Sequence, residues 1–168
     1  MITYLLSDSF TEVILIGASI IAKVPLPVTA AQILWVNLIE DGLPDIALAF
    51  EPKEKDLMRQ KPQNHNIPLL TREMKVLIFI IGVITDLFLL IIFFWLLKYS
   101  GYGIPHIRSV IFTGLTIDSL FYIFSCKSLR RNLWQINLFS NKFLILAWIL
   151  GAIMLISALY LPPFQTLL

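Results

Sequence analysis

The chain has 168 residues, of which 58% are hydrophobic and 14% charged, with a mean hydropathy of +0.82. Soluble domains carry about a quarter charged residues, so this composition excludes an ordinary soluble enzyme and assigns the chain to a bilayer. Thirteen Lys and Arg against eleven Asp and Glu give a formal charge of +2, too small a bias for nucleic-acid binding, and a single cysteine, Cys126, excludes an internal disulfide or a Cys-rich metal site.

Hydropathy predicts an all-α fold, a polytopic transmembrane helix bundle of about five spans at 4–22, 27–50, 76–97, 107–126 and 143–161. Each approaches the roughly 20 helical residues that a bilayer requires. The first span holds Asp8, Ser9 and Glu12, and it lacks the basic flank and small-residue cleavage site of a signal peptide. A span with almost nothing before it leads us to expect a chain missing an upstream part. The second span contains AQILWVNLIEDGLPDIALAFEP, residues 31–52, which places polar chemistry inside an apolar segment.

Asn37, Glu40 and Asp41 fall at i, i+3 and i+4, so a helix presents them on one face. Gly42 and Pro44 follow and are expected to interrupt that helix: Pro44 has no N–H to offer the Glu40 carbonyl, and Gly42 lowers the cost of unwinding. Carboxylates, an amide oxygen and a freed carbonyl in one place describe a hard-cation site. Asp45, one turn further on, reads either as a carboxylate on the ion's route or as an interfacial charge, and we take the second reading.

The third span, around VLIFIIGVITDLFLLIIFFWLL, is the most apolar and carries Asp86; the fourth carries Asp118. An acidic side chain at the centre of a membrane helix costs about 2.5 to 3.5 kcal/mol, and no Lys or Arg lies deep in any span to offset it. A shared cation, or protonation of some carboxylates, accounts for the set. For Asp86 two readings stay open, a functional carboxylate and a protonated one hydrogen-bonded to a neighbouring helix. Gly17 and Gly82 are expected at helix contacts, and Cys126 in an apolar packing role.

Ten of the thirteen basic residues lie between the second and third spans or between the fourth and fifth. The positive-inside rule therefore places the N-terminus and loops 51–75 and 127–142 in the cytoplasm and the C-terminus outside. Trp95, Tyr99, Tyr102 and Tyr160 near span ends fit an interfacial aromatic belt. His65 and His106 have no ligand partner at i+4, and the sequence holds no phosphate loop or Ser-His-Asp arrangement.

WVNLIEDGLPDIALAFEP, residues 35–52, resembles the sixth transmembrane helix of P-type cation-transporting ATPases of the calcium-pump type, whose usual form is near WVNLxTDGLPAxALGFxP. YLLSDSFTEV, residues 4–13, resembles the ion-binding half of their fifth helix, commonly YLISSNxGEV. EPKEKDLMRQKP, residues 51–62, resembles the cytoplasmic loop that follows, and RSVIFTGLTID, residues 108–118, the eighth helix with its acidic ligand in TIE. The seventh and ninth helices correspond by position and hydropathy.

The resemblance implies cation ligands at Ser9, Glu12, Asn37, Glu40, Asp41 and Asp118. Ser9 stands where asparagine is usual, Asp118 where glutamate is usual, and Glu40 where threonine is usual. The added charge at Glu40 leaves stoichiometry open and admits proton counter-transport. The implied cargo is a divalent cation, Ca²⁺ first with Mg²⁺ or Mn²⁺ as alternatives, since an all-oxygen donor set favours these ions over soft metals.

It also implies partners: the lipid bilayer and the remainder of a pump, comprising the first four helices and the actuator, phosphorylation and nucleotide domains that carry DKTGT and use ATP and Mg²⁺. The expectation is the ion-binding support portion of an ATP-driven pump, inactive as an enzyme alone and with no cofactor of its own. The alternative is a free-standing membrane protein that associates with or regulates a full-length pump.

Overall fold

A computed structural model describes residues 2–51, 83–127 and 140–167, and among these every regular element is helical. Most of both long loops, the first part of the third span, His65 and Gly82 lie outside the described residues, as do the side chains of Asp8 and Glu40.

Helix α1 spans Ile2–Ile21. The next run is continuous but of mixed geometry: α2 at Ala30–Trp35, a π-helical turn at Val36–Asp41, and α3 at Gly42–Leu48. Helix α4 spans Val83–Tyr99, α5 Ile104–Cys126, α6 Lys142–Tyr160 and the short α7 Pro162–Leu167. Of these, α5 and α6 are long and apolar enough to cross a membrane. At about 1.5 Å per residue the longer of them, α5, exceeds the roughly 30 Å of a hydrocarbon core.

The starts of these helices follow local chemistry. Thr29 caps α2 in a reciprocal pair: its hydroxyl accepts from the Gln32 N–H at 3.1 Å, and the Gln32 side-chain oxygen accepts from the Thr29 N–H at 2.9 Å. Pro105 sits in the first turn of α5, where its missing N–H costs nothing. Asn141 caps α6, its side-chain oxygen accepting from the Leu144 N–H at 3.0 Å.

The core forms where α1, α4 and α5 meet, around Leu15, Leu89, Phe93, Ile107, Ile111 and Phe112. A smaller cluster of Ala47, Tyr122, Ile123, Leu144 and Ala147 joins α3, α5 and α6. The opposite faces carry exposed apolar side chains such as Leu34, Leu38, Phe88, Ile91, Ile153 and Ile156, the surface of a bundle solvated by lipid rather than water. Trp95, Tyr99, Tyr102 and Tyr160 are all exposed near helix ends, consistent with the aromatic belt.

Glycine packing differs from expectation. A Cβ at Gly17 would meet nothing within 4 Å, so Gly17 is not a contact glycine. Gly114, on α5, fills that role instead: a Cβ there would come within 2.7 Å of Leu89 Cδ2, so α4 and α5 approach closely because the side chain is absent.

Two polar knots close the bundle at opposite ends. At one, the Arg108 guanidinium donates to the Leu26 carbonyl at 3.0 Å. At the other, Lys127, Glu51, Ser140 and Asn141 converge, bringing together the ends of α3 and α5 and the start of α6. The ends of α3 and α5 and the start of α6 thus share one end of the bundle.

Candidate cation site

The interruption expected at Gly42 and Pro44 takes another form. Gly42 has ordinary right-handed helical angles, φ −60° and ψ −47°, so its freedom to unwind is unused. The chain widens before it, over Val36–Asp41, into a π turn whose hydrogen bonds reach one residue further than in an α-helix. Helix α3 then begins at Gly42 and places Pro44 in its first turn, where no intrahelical N–H is required. The helix is bulged rather than unwound, and Asn37 and Asp41 lie at the two ends of the bulge.

Asn37 is exposed, and its side-chain amide donates to Glu12 Oε1 on α1 at 2.5 Å and to the Ile33 carbonyl at 3.0 Å. With both amide protons used, its Oδ1 remains the acceptor that a cation could take. Asp41 is only 1% exposed and accepts a hydrogen bond from Ser119 on α5, Oγ to Oδ1, at 2.5 Å. Glu12 is half-buried and within electrostatic reach of Asp41. Four residues from α1, the π turn and α5 therefore form two hydrogen-bonded pairs facing a common region.

Ser119 is the residue that motif reading missed. It immediately follows Asp118 in the TIDS segment, but its role depends on where α5 packs against the bulged turn. Thr116, one turn earlier on the same face of α5, is buried, and its hydroxyl has no hydrogen-bond partner.

The other expected residues are placed differently. Ser9, one turn before Glu12, is exposed, and no hydrogen bond among the described residues joins it to the other candidates. Glu40 has its backbone in the π turn, and its side chain lies outside the described residues. Asp118 is half-buried and within electrostatic reach of Asp86 on α4. Among the described residues, no three His, Cys, Asp or Glu side chains come close enough together to hold a metal ion. The arrangement is one of oxygen-bearing pairs rather than a closed cage.

One carboxylate runs against its sequence reading, and another proves deeply buried. Asp45, taken as an interfacial charge, is only 5% exposed, and its Oδ1 has no hydrogen-bond partner. Asp86 is fully buried at 0% exposure on α4, beside Thr11 of α1. A cavity of about 620 Å³ does exist, but it opens at the other end of α5, beside Gln32, His106, Ser109 and Thr113, and no carboxylate lines it.

A helical membrane bundle with an oxygen-donor site on a bulged helix fits the membrane portion of an ion transporter. The family described as the C-terminus of cation-transporting ATPases matches residues 25–168, and this chain belongs to it. It is 31% identical to a calcium-transporting ATPase of Bacillus subtilis, an alignment covering 98% of this chain and 18% of that protein. It is 32% identical to the probable cation-transporting ATPase F of Mycobacterium tuberculosis, over 96% of this chain and 18% of the relative. Against the mouse calcium-transporting ATPase type 2C member 1 the identity is also 32%, over 98% of this chain and 18% of the relative. The chain thus spans about a fifth of the length of these relatives.

Proposed function

We propose that this chain is the cation-binding and translocation support portion of an ATP-driven P-type pump, with Ca²⁺ as the favoured cargo. The observation that carries the reading is Asp41: a buried carboxylate on a π turn, held by Ser119 and facing the Glu12–Asn37 pair. Such a turn lets backbone and side-chain oxygens share one region of a membrane helix. Glu12, Asn37, Asp41 and Asp118 act as ligands in this reading, with Ser9 and Glu40 completing the set when the pairs draw together. Their donors are all oxygen, which suits a hard divalent cation and leaves Mg²⁺ or Mn²⁺ as competitors.

In the membrane we place five spans, at 4–22, 27–50, 76–97, 107–126 and 143–161, with the N-terminus and loops 51–75 and 127–142 cytoplasmic. The phosphorylation, nucleotide and actuator domains and the first four helices of the pump are the proposed partners. They would move the α1 and α2–α3 region and so change ion access, since a binding site responds to a distant reaction only if two conformations bind the ion differently.

The test is equilibrium binding of radioactive calcium to the chain in lipid nanodiscs. Saturable binding that is lost in Asp41→Asn and competed by Mn²⁺ is expected. Absence of saturable binding of Ca²⁺, Mg²⁺ and Mn²⁺ alike would overturn the reading.

A further inference from the structure

We propose that the cavity beside the start of α5, outermost in the topology given above, is the mouth of a water-filled route to the cation site, and that the buried Thr116 hydroxyl carries this route on toward Ser119 and Asp41. The purpose of the route, supplying water to a bound cation, rests on the reading of Asp41 given above.

The cavity measures about 620 Å³ and lies between α2, the first turns of α5, the end of α6 and α7. Its polar lining of Gln32, His106, Ser109, Thr113 and Gln165, with this volume, suits several waters. No carboxylate lines it, and Arg108 at the same end of α5 is tied to the Leu26 carbonyl. Hydroxyls, amides and an imidazole beside a fixed guanidinium fit water better than a divalent cation.

Beyond the cavity, the same side of α5 stays polar. Ser109, Thr113, Thr116 and Ser119 follow one another at steps of four, three and three residues, about one turn each. Ser109 and Thr113 donate to carbonyls four residues earlier, at 3.1 and 2.7 Å, the usual bond of a hydroxyl in a helix. Thr116 departs from this habit: it is 0% exposed, and its Oγ1 has no hydrogen-bond partner among the described residues, the Phe112 carbonyl one turn back included. Ser119 then donates to Asp41. At about 1.5 Å of rise per residue, about 9 Å of helix separates Thr113 in the cavity wall from Ser119 at the site, and Thr116 stands midway.

The helix packed against α5 repeats the pattern. Gln32 of α2 lines the cavity, and one turn on Trp35 is 8% exposed, its indole N–H buried and unpartnered among the described residues. The Trp35 ring meets Phe164 edge-on at 5.1 Å, next to the cavity-lining Gln165, and shares a buried cluster with Phe112 and Leu115 of α5. A hydroxyl and an indole N–H thus lie along the helices between the cavity and Asp41 without a protein acceptor. A buried donor left unbonded is costly, and a water that accepts from it removes the cost. Water there also serves the site, because the shell of a hard cation takes water where protein oxygens are too few.

The test is thiol accessibility of the chain in lipid nanodiscs, with no cation added. Thr116→Cys and an equally buried apolar control on the same helix, Ile111→Cys, are made in a Cys126→Ala background and treated with water-soluble aminoethyl methanethiosulfonate. Modification at position 116 is expected to be about 30-fold faster than at position 111, since the reaction needs an aqueous path to the sulfur. Adding Thr113→Phe, which fills the cavity, should slow modification at position 116 about tenfold.

Equal rates at positions 116 and 111 would overturn the route. A rate at position 116 indifferent to Thr113→Phe would show that water arrives from elsewhere and overturn the cavity as its mouth. Should Thr113→Phe fail to fold, Ala158→Phe blocks the cavity from the α6 wall and is read in the same way. Because no cation is added, fast labelling at position 116 in a chain that binds no calcium would overturn the reading of Asp41 and uphold the route.

Discussion

The polar knot at the end of α3 and the acidic middle of the bundle use similar residue types to opposite ends. In the knot, the Lys127 side chain is 0% exposed and lies 3.5 Å from Glu51 Oε1, while its ammonium donates to the Ser140 hydroxyl at 2.8 Å. Asn141 donates to Glu51 Oε2 at 3.1 Å and to the Ala47 carbonyl at 2.8 Å, and its own oxygen caps α6. A buried cation, a carboxylate and an amide thus satisfy one another. In the middle, Glu12 accepts from Asn37 and Asp41 accepts from Ser119, and among the described residues no salt bridge to Glu12, Asp86 or Asp118 is present. Opposite charges in contact hold the knot together, whereas like charges kept at a cost in desolvation fit the cation site proposed above.

The largest expected effect that separates the two regions is at Asp41. Asp41→Asn should weaken Ca²⁺ binding by roughly 100-fold or more, above the usual loss for a supporting residue. The unfolding midpoint of the ion-free chain should hold or rise, because a buried charge has been removed. Calcium titration and thermal unfolding in the same nanodiscs check both, and a lowered midpoint would place Asp41 with the knot instead.

Lys127→Met should do the reverse. Removing one partner of a buried pair costs about 3 to 5 kcal/mol, reduced here to about 2 because Glu51 is 24% exposed and keeps Asn141. Stability should fall while calcium affinity stays within about twofold. A comparable fall in affinity would mean that the knot sets the position of α3 at the ion site.

Ser119→Ala comes next, with an expected loss of about tenfold in affinity, since it removes the hydroxyl that orients Asp41. Its effect should vanish in an Asp41→Asn background, as a double-mutant cycle would report. The smallest effect is at Thr29. Thr29→Ala removes one side of the cap of α2 and should cost about 1 kcal/mol of stability with no change in binding.

Much of this was legible in the chain itself. Composition and hydropathy gave an all-helical membrane bundle, because apolar residues in long runs leave a bilayer no other way to satisfy their backbone. The spacing of Asn37 and Asp41 and the acid at position 12 marked the candidate site, since acids in apolar helices stand out as costs. The caps at Thr29 and Asn141 are local chemistry, set by side chains within one turn of the groups they satisfy.

What the tertiary structure decided were relations between helices distant in sequence. Gly42 and Pro44 signalled a disturbed helix, but only packing against α5 shows the disturbance as a π turn ending at Asp41, with Ser119 as its partner. Ser119 carries no sequence signal, because a serine in a membrane helix most often bonds its own preceding turn, as Ser19 does with the Leu15 carbonyl at 2.8 Å. Gly17 and Gly114 are alike as residues, and which of them lies under a neighbouring helix depends on how α4 docks. Asp86 and Asp45 likewise needed the assembled bundle, since burial is a property of what surrounds a carboxylate, not of its place in the chain.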